Sequence, residues 1–301
     1  MKVFLYTTFA LVAFAFNSIL CRLALRGEEA DAVGFTTVRL AAGAVALVVI
    51  RYLVIRVSSP TVSKGLVGEQ ETLTYVRATD TRATDAGSWP SAFFLFAYAL
   101  LFSFAYLDLT AGTGALILFG SVQLTMIAVA LTRGERPPLL EWLGLAMAVG
   151  GLVYLVFPGL ASPPPVSSAL MAVAGASWGF YTLRGRSTVD PLADTAGNFV
   201  RSVPMIAIAA IPYLSKIHLS TRGALLAVLS GAITSGIGYT VWYAALKFHT
   251  STRAAVLQLA VPVIAAAAGV LLLDETATAR LAIAAALILG GIGLTIFGKK
   301  V

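Results

Sequence analysis

Long apolar runs alternate with short stretches of charge, glycine and proline along the whole chain. The runs fall near 3-21, 33-55, 91-107, 113-132, 141-158, 168-184, 196-215, 224-246, 253-273 and 281-298. Their lengths are close to the ~20 residues a helix needs to cross a ~30 Å hydrocarbon layer at 1.5 Å per residue. A transmembrane barrel would instead show ~10-residue segments of alternating polarity. The pattern predicts an all-α integral membrane protein with ten transmembrane helices.

Composition agrees. Of 301 residues, 58% are hydrophobic and 12% charged, against roughly 25% charged in an ordinary soluble domain. A soluble enzyme, a coiled coil and a disordered chain are excluded together. The single cysteine, Cys21, excludes a disulfide framework and a cysteine-based metal cluster. No cofactor and no metal are expected. Lys2 and the apolar run after it imitate a signal peptide. A matching segment recurs deep in the chain, and Leu20 before Cys21 is not the small residue of a lipoprotein cleavage site, so the run reads as a retained helix.

The net charge of +7 changes meaning once it is placed on the spans. With the N-terminus inside, 14 Lys and Arg lie on inner segments and 5 on outer ones, while Arg39 and Arg201 fall within spans. The basic excess therefore reads as membrane orientation rather than nucleic-acid binding, with both termini cytoplasmic. The longest polar stretch, Val57 to Pro90, contains Arg77-Ala-Thr-Asp80 followed by Arg82-Ala-Thr-Asp85. It has too few apolar residues to fold alone and is expected to be a flexible cytoplasmic loop.

Sliding the chain on itself by 162 residues places Val38-Arg39 on Val200-Arg201 and Phe16 on Trp178. A slide of 139 places Leu107 on Leu246, Asp108 on Lys247, Thr113 on Thr252 and Ala115 on Ala254. Near 140, Glu135 meets Glu275 and Gly150-Gly151 meets Gly290-Gly291. Spans 1 to 5 and 6 to 10 thus read as two copies of one unit, 1-158 and 168-298. Five crossings per copy force the second copy upside down. Inverted repeats commonly enclose a central site with alternating access, so the plan points to a secondary transporter.

Several segments then carry a family resemblance. They are Thr132-Arg-Gly-Glu135-Arg-Pro-Pro-Leu-Leu-Glu-Trp-Leu-Gly144 running to Gly150-Gly151, Leu273-Asp-Glu275-Thr running to Gly290-Gly291, and Ala176-Ser-Trp178-Gly-Phe-Tyr181. Together with the duplication they resemble the drug/metabolite transporter superfamily, in its ten-helix branch of two EamA-type domains. One departure stands out: the proline usual in the fourth helix of such a domain is Pro262 in the second copy, while Gln123 holds the first-copy position. The resemblance implies a cell inner membrane protein that exports or exchanges small organic metabolites such as amino acids, with multidrug efflux or a non-transporting scaffold as alternatives. It also implies a central cavity lined by spans 1, 3, 4, 6, 8 and 9. The expected partners are a small-molecule substrate and the lipid bilayer; a homodimer is open, and nucleic acid is not expected.

Polar groups at membrane depth often mark a pathway. Asn17, Gln123 and Gln258 are amides within apolar runs, suited to a polar solute or to bonding between helices. Arg39 and Arg201 match a carboxylate, yet each is about five residues into its span and long enough to snorkel to the interface. Trp178 and Tyr181, and Tyr239 with Trp242 and Tyr243, each share one helix face. Such faces line cavities, form interface belts or pack the core. Small residues Ala282, Ala286 and Gly290, and Ala146 and Gly150, recur at i, i+4 and are expected to pack helix against helix.

An enzyme would need a reactive constellation, and the histidines, His218 and His249, fall in loops on opposite faces. No Asp or Glu sits in the middle of a span, where a proton relay generally needs one. Facilitated diffusion or exchange is expected: substrate accumulation in proteoliposomes should not depend on an imposed pH gradient, and accumulation seen only with such a gradient would refute this.

Overall fold

The computed structural model describes residues 2–58, 86–132, 139–157, 162–186, 188–249, 257–258 and 260–297. The tandem Arg-Ala-Thr-Asp segment, the stretch around Glu135 and the first residues of the ninth predicted span lie outside them. The described residues form α1 (Lys2–Arg26), α2 (Ala32–Ser58), α3 (Trp89–Ala105), α4 (Ala111–Thr132), α5 (Leu139–Val156), α6 (Pro165–Gly185), α7 (Pro191–Ala210), α8 (Thr221–Leu246), α9 (Ala260–Leu273) and α10 (Ala279–Phe297). Each apolar run thus holds one helix.

Boundaries moved where polar chemistry rather than hydropathy sets them. α7 starts at Pro191, five residues before the predicted edge, because the Asp190 side chain accepts from the Ala193 N–H and proline suits the first helical turn. α1 continues to Arg26 because Arg22 and Arg26 donate to backbone carbonyls of other helix ends and need not leave the helix to find partners.

α2 keeps Val45, Val48, Val49, Tyr52 and Leu53 exposed, a spacing that marks one apolar face with no protein over it. Comparable residues are exposed on α1, α5 and α9. Lipid covers such surfaces at no cost, so this chain is a multi-pass membrane protein.

The most extensive pairings join the first half of the chain to the second. α5 packs on α10, α3 and α4 on α6, α2 on α7, and α1 on α8 and α9. Between α5 and α10 the expected small-residue faces are not the ones that are covered. Ala146, Gly150, Ala282, Ala286 and Gly290 are exposed, whereas Gly151 meets Leu287 and Ile288, and Gly291 meets Gly144 and Ala148. Spacing identifies a stripe, but only the crossing of two helices decides which stripe is covered.

α8 is interrupted at mid-span by a π-helical segment, Ser230–Ile237, where the Gly238 N–H reaches back to the Ile233 carbonyl. There the backbones of α2 and α8 nearly touch. A Cβ on Gly231 would lie 2.0 Å from the Arg39 carbonyl oxygen, so only glycine fits. Gly150 has nothing within 4 Å of the same position. Gly231→Ala should therefore destabilise the protein by about 1–3 kcal/mol of overpacking, read as a lower melting temperature in detergent. Gly150→Ala should be neutral or stabilising, and equal melting curves for the two variants would refute the close approach.

Candidate functional site

At the level of the π segment, four helices bring polar side chains into one buried cluster. Asn17 comes from α1, Arg39 from α2, Tyr98 from α3, and Ser230, Thr234, Ser235 and Tyr239 from α8. Arg39 Nε donates to Ser235 Oγ at 3.2 Å, and Nη2 lies 3.1 Å from both the Tyr98 and Tyr239 hydroxyls. Asn17 Nδ2 donates to the same two hydroxyls at 3.2 and 3.3 Å, while its Oδ1 accepts from Ser230 at 2.5 Å and Thr234 at 3.3 Å. The arginine is 1% exposed and does not snorkel. Its guanidinium carbon sits 5.3 Å from the Tyr98 ring centre and 5.1 Å from that of Phe102, which adds cation–π attraction.

An aromatic layer covers the cluster on one side. The Trp178 ring lies 4.5 Å from Tyr239 and 5.0 Å from Tyr98, and Phe14 stands edge-on to Trp178, Tyr239 and Trp242 at 5.7 to 5.8 Å. Tyr181 is 5.4 Å from Trp178 and 6.0 Å from Tyr243. Beyond Tyr181 and Tyr243 lies a cavity of about 650 Å³, bordered also by Ser91, Arg184, Asp194 and Asn198. A smaller cavity of about 120 Å³ adjoins it and is lined by Gln258, His249 and Lys247 among others.

The opposite end is tied shut. Arg22 Nη1 donates to the carbonyls of Tyr106 and Leu107 at 2.9 and 3.0 Å, and its Nε meets Glu275 Oε1 at 3.4 Å. Glu275 in turn accepts from the Ala111 N–H at 2.8 Å, and the left-handed turn at Asp274, φ 50°, precedes it. Arg26 donates to the Leu273 carbonyl. One carboxylate and two guanidinium groups thereby join the ends of α1, α3, α4 and α9. Between this latch and the cluster, Cys21, Thr36 and Ser103 form a buried polar step, with Thr36 Oγ1 donating to Ser103 Oγ at 2.8 Å.

A cluster enclosed by helices from both halves, with a cavity on one side and a latch on the other, is a carrier's geometry, and comparison with known proteins agrees. Residues 167–297 match the model of the EamA-like transporter family. An uncharacterised protein of Pseudomonas aeruginosa is 43% identical over 97% of this chain and 94% of its own length. A "probable amino-acid metabolite efflux pump" of Escherichia coli is 25% identical over 67% of this chain and 73% of its own. Its counterpart of the same description in Salmonella typhimurium is 25% identical over 68% and 73%. A crystal structure aligns with 98% of this chain and 97% of its own at TM-score 0.63 and 18% identity, a likeness of fold.

The chain belongs to the drug/metabolite transporter superfamily. It is a membrane transporter rather than an enzyme, and its EamA-like fold brings together only some of the residues singled out from sequence. Asn17, Arg39, Trp178 and Tyr239 meet at the centre, and Tyr181 joins the aromatic layer to the cavity. Gln258 lies in the smaller cavity. Gln123 is buried in α4 with its Nε2 unpaired, and no hydrogen bond ties it to the cluster. Arg201 does not join Arg39: it donates to the carbonyls of Ala86, at 2.5 Å, and Gly197, at 3.1 Å, pinning the chain before α3 at the cavity end. Tyr98 and the Ser230, Thr234, Ser235 group escaped sequence reading. Their one signal was hydroxyls at mid-span, which apolar helices also use to satisfy their own carbonyls.

The latch can be tested through the lone cysteine. Cys21 is fully buried and should resist an impermeant maleimide in the unaltered transporter. Glu275→Gln removes the charge that holds Arg22 and should make Cys21 labelling faster from the latched end. Labelling at the unaltered rate would show that the ion pair does not keep this end closed.

Proposed function

We propose that this transporter is a secondary exporter or exchanger of small organic metabolites, such as amino acids, working by alternating access through the central cluster. The units 1-158 and 168-298 are inverted copies, placed in the inner membrane with both termini cytoplasmic. The cavity end is then the cytoplasmic end and the latch faces outward. The observation that carries this reading is the buried polar cluster set between an open cavity and an ion-paired closure.

The helix pairings support inverted copies. In repeat order, the first helix of each half packs on the third and fourth of the other, and the second and fifth pack on their own counterparts. An approximate twofold axis in the membrane plane produces that set of partners. The 14 to 5 distribution of basic residues supports the orientation. The cavity border supplies a carboxylate, a guanidinium, an amide and several hydroxyls, which suits polar metabolites better than apolar drugs. The names carried by the Escherichia coli and Salmonella relatives point the same way.

Asn17 separates transport from scaffolding, since its four hydrogen bonds join α1 to α3 and α8. Asn17→Ala should reduce metabolite counterflow in proteoliposomes while the amount of protein in the membrane holds, each lost hydrogen bond being worth about 1 kcal/mol. Full transport by this variant, or no movement of any metabolite by folded unaltered protein, would refute the reading.

A further inference from the structure

Arg39 is a buried cation with donor capacity left over. Its Nε and Nη2 are spent on Ser235, Tyr98 and Tyr239, but Nη1 has no hydrogen-bond partner and almost no exposure. Every group holding it is a neutral hydroxyl. Among the described residues no carboxylate pairs with it; the ion pairs are Arg22 with Glu275 and Arg222 with Glu29. Trp178 Nε1 is a second buried donor without a partner, on a ring tilted against the tyrosines that hold Arg39. Two unspent donors, one of them charged, border a single aromatic group. An acceptor-only, negatively charged ligand satisfies both requirements.

The approach to the cluster has the matching sign. Arg184, Arg186 and Lys247 line the two cavities at the open end. Asp194, the acid of the larger cavity, is occupied by the Gly87 N–H at 2.9 Å and by Thr188 Oγ1. Basic walls of low dielectric raise the local concentration of anions.

We propose that Arg39 is the docking point for a carboxylate of the transported solute, and that neutralising this buried charge is what lets the loaded carrier reorient. The proposal rests on the transport reading and names its substrate class. One carboxylate oxygen takes the Nη1 hydrogens, and the organic remainder lies against Trp178 and Tyr239 once the aromatic layer parts. The empty carrier must seal an uncompensated charge away from water, whereas the loaded carrier seals a pair. Exchange of carboxylates across the membrane therefore runs faster than net efflux.

Proteoliposomes holding the unaltered protein test this directly. They are preloaded in turn with amino acids, with the corresponding carboxamides, and with chloride or inorganic phosphate, and uptake of a radiolabelled amino acid is followed. Preloaded carboxylates should accelerate uptake, and the carboxamides should do so roughly tenfold less or worse, the loss expected for a charge-assisted hydrogen bond. Arg39→Lys should keep part of this discrimination, and Arg39→Gln should lose it. Melting curves and the intrinsic tryptophan emission spectrum without ligand report whether each variant is folded. Where Arg39→Gln fails to fold, the acid-to-amide comparison on unaltered protein still decides. Carboxamides as effective as acids, or chloride or phosphate as effective as carboxylates, would overturn the role of Arg39 and leave transport standing. Movement of nothing by folded protein would overturn the transport reading with it.

Discussion

A guanidinium with no acid beside it, buried where four helices meet, sets the terms for the rest of this transporter. Placing such a charge within a membrane costs from about 2.5 to more than 10 kcal/mol, depending on how far water and snorkelling relieve it. Here neither relief operates, because Arg39 is 1% exposed. The offset comes from three hydroxyl acceptors and two aromatic faces, and these belong to α3 and α8 rather than to its own helix. The π segment of α8 carries Ser235 toward the arginine, and Gly231 allows the two backbones the approach this needs. Asn17 then finds the same two tyrosine hydroxyls already positioned. One electrostatic demand thus organises the meeting of α1, α2, α3 and α8.

Related residues at the two ends are in different states of bonding. Arg184 follows Arg22 by 162 residues, the spacing that also separates Arg39 from Arg201. Arg22 closes its end by joining the end of α3 to Glu275, whereas Arg184 donates to the serine hydroxyls of Ser91 and Ser88 at the border of the cavity. The proposed alternating access requires the two ends to differ in this way, one held by an ion pair and the other bordering a cavity. Arg39 and Arg201, at the same spacing, differ as well: Arg39 is buried in the cluster and Arg201 binds the chain entering α3.

The ten helices were legible because lipid acts on each segment separately: length and hydropathy are local, and a span must satisfy its own backbone before it meets a neighbour. Helix ends were less legible wherever a cap or a distant carbonyl decided them, as at Asp190 and at Arg22 and Arg26. The small-residue stripes on α5 and α10 were identified by spacing but assigned to the wrong faces, since spacing carries no information about the direction from which a partner arrives.

The membrane class and the number of helices could be read from the sequence because they follow from local transfer energies summed along each segment. What only the tertiary structure decided is the fate of groups with identical local context. Val38-Arg39 and Val200-Arg201 are the same pair in matched positions, yet one guanidinium is held among tyrosines from other helices and the other caps a loop. A buried charge is stabilised by what surrounds it in space, and for Arg39 those partners lie 59, 196 and 200 residues away along the chain.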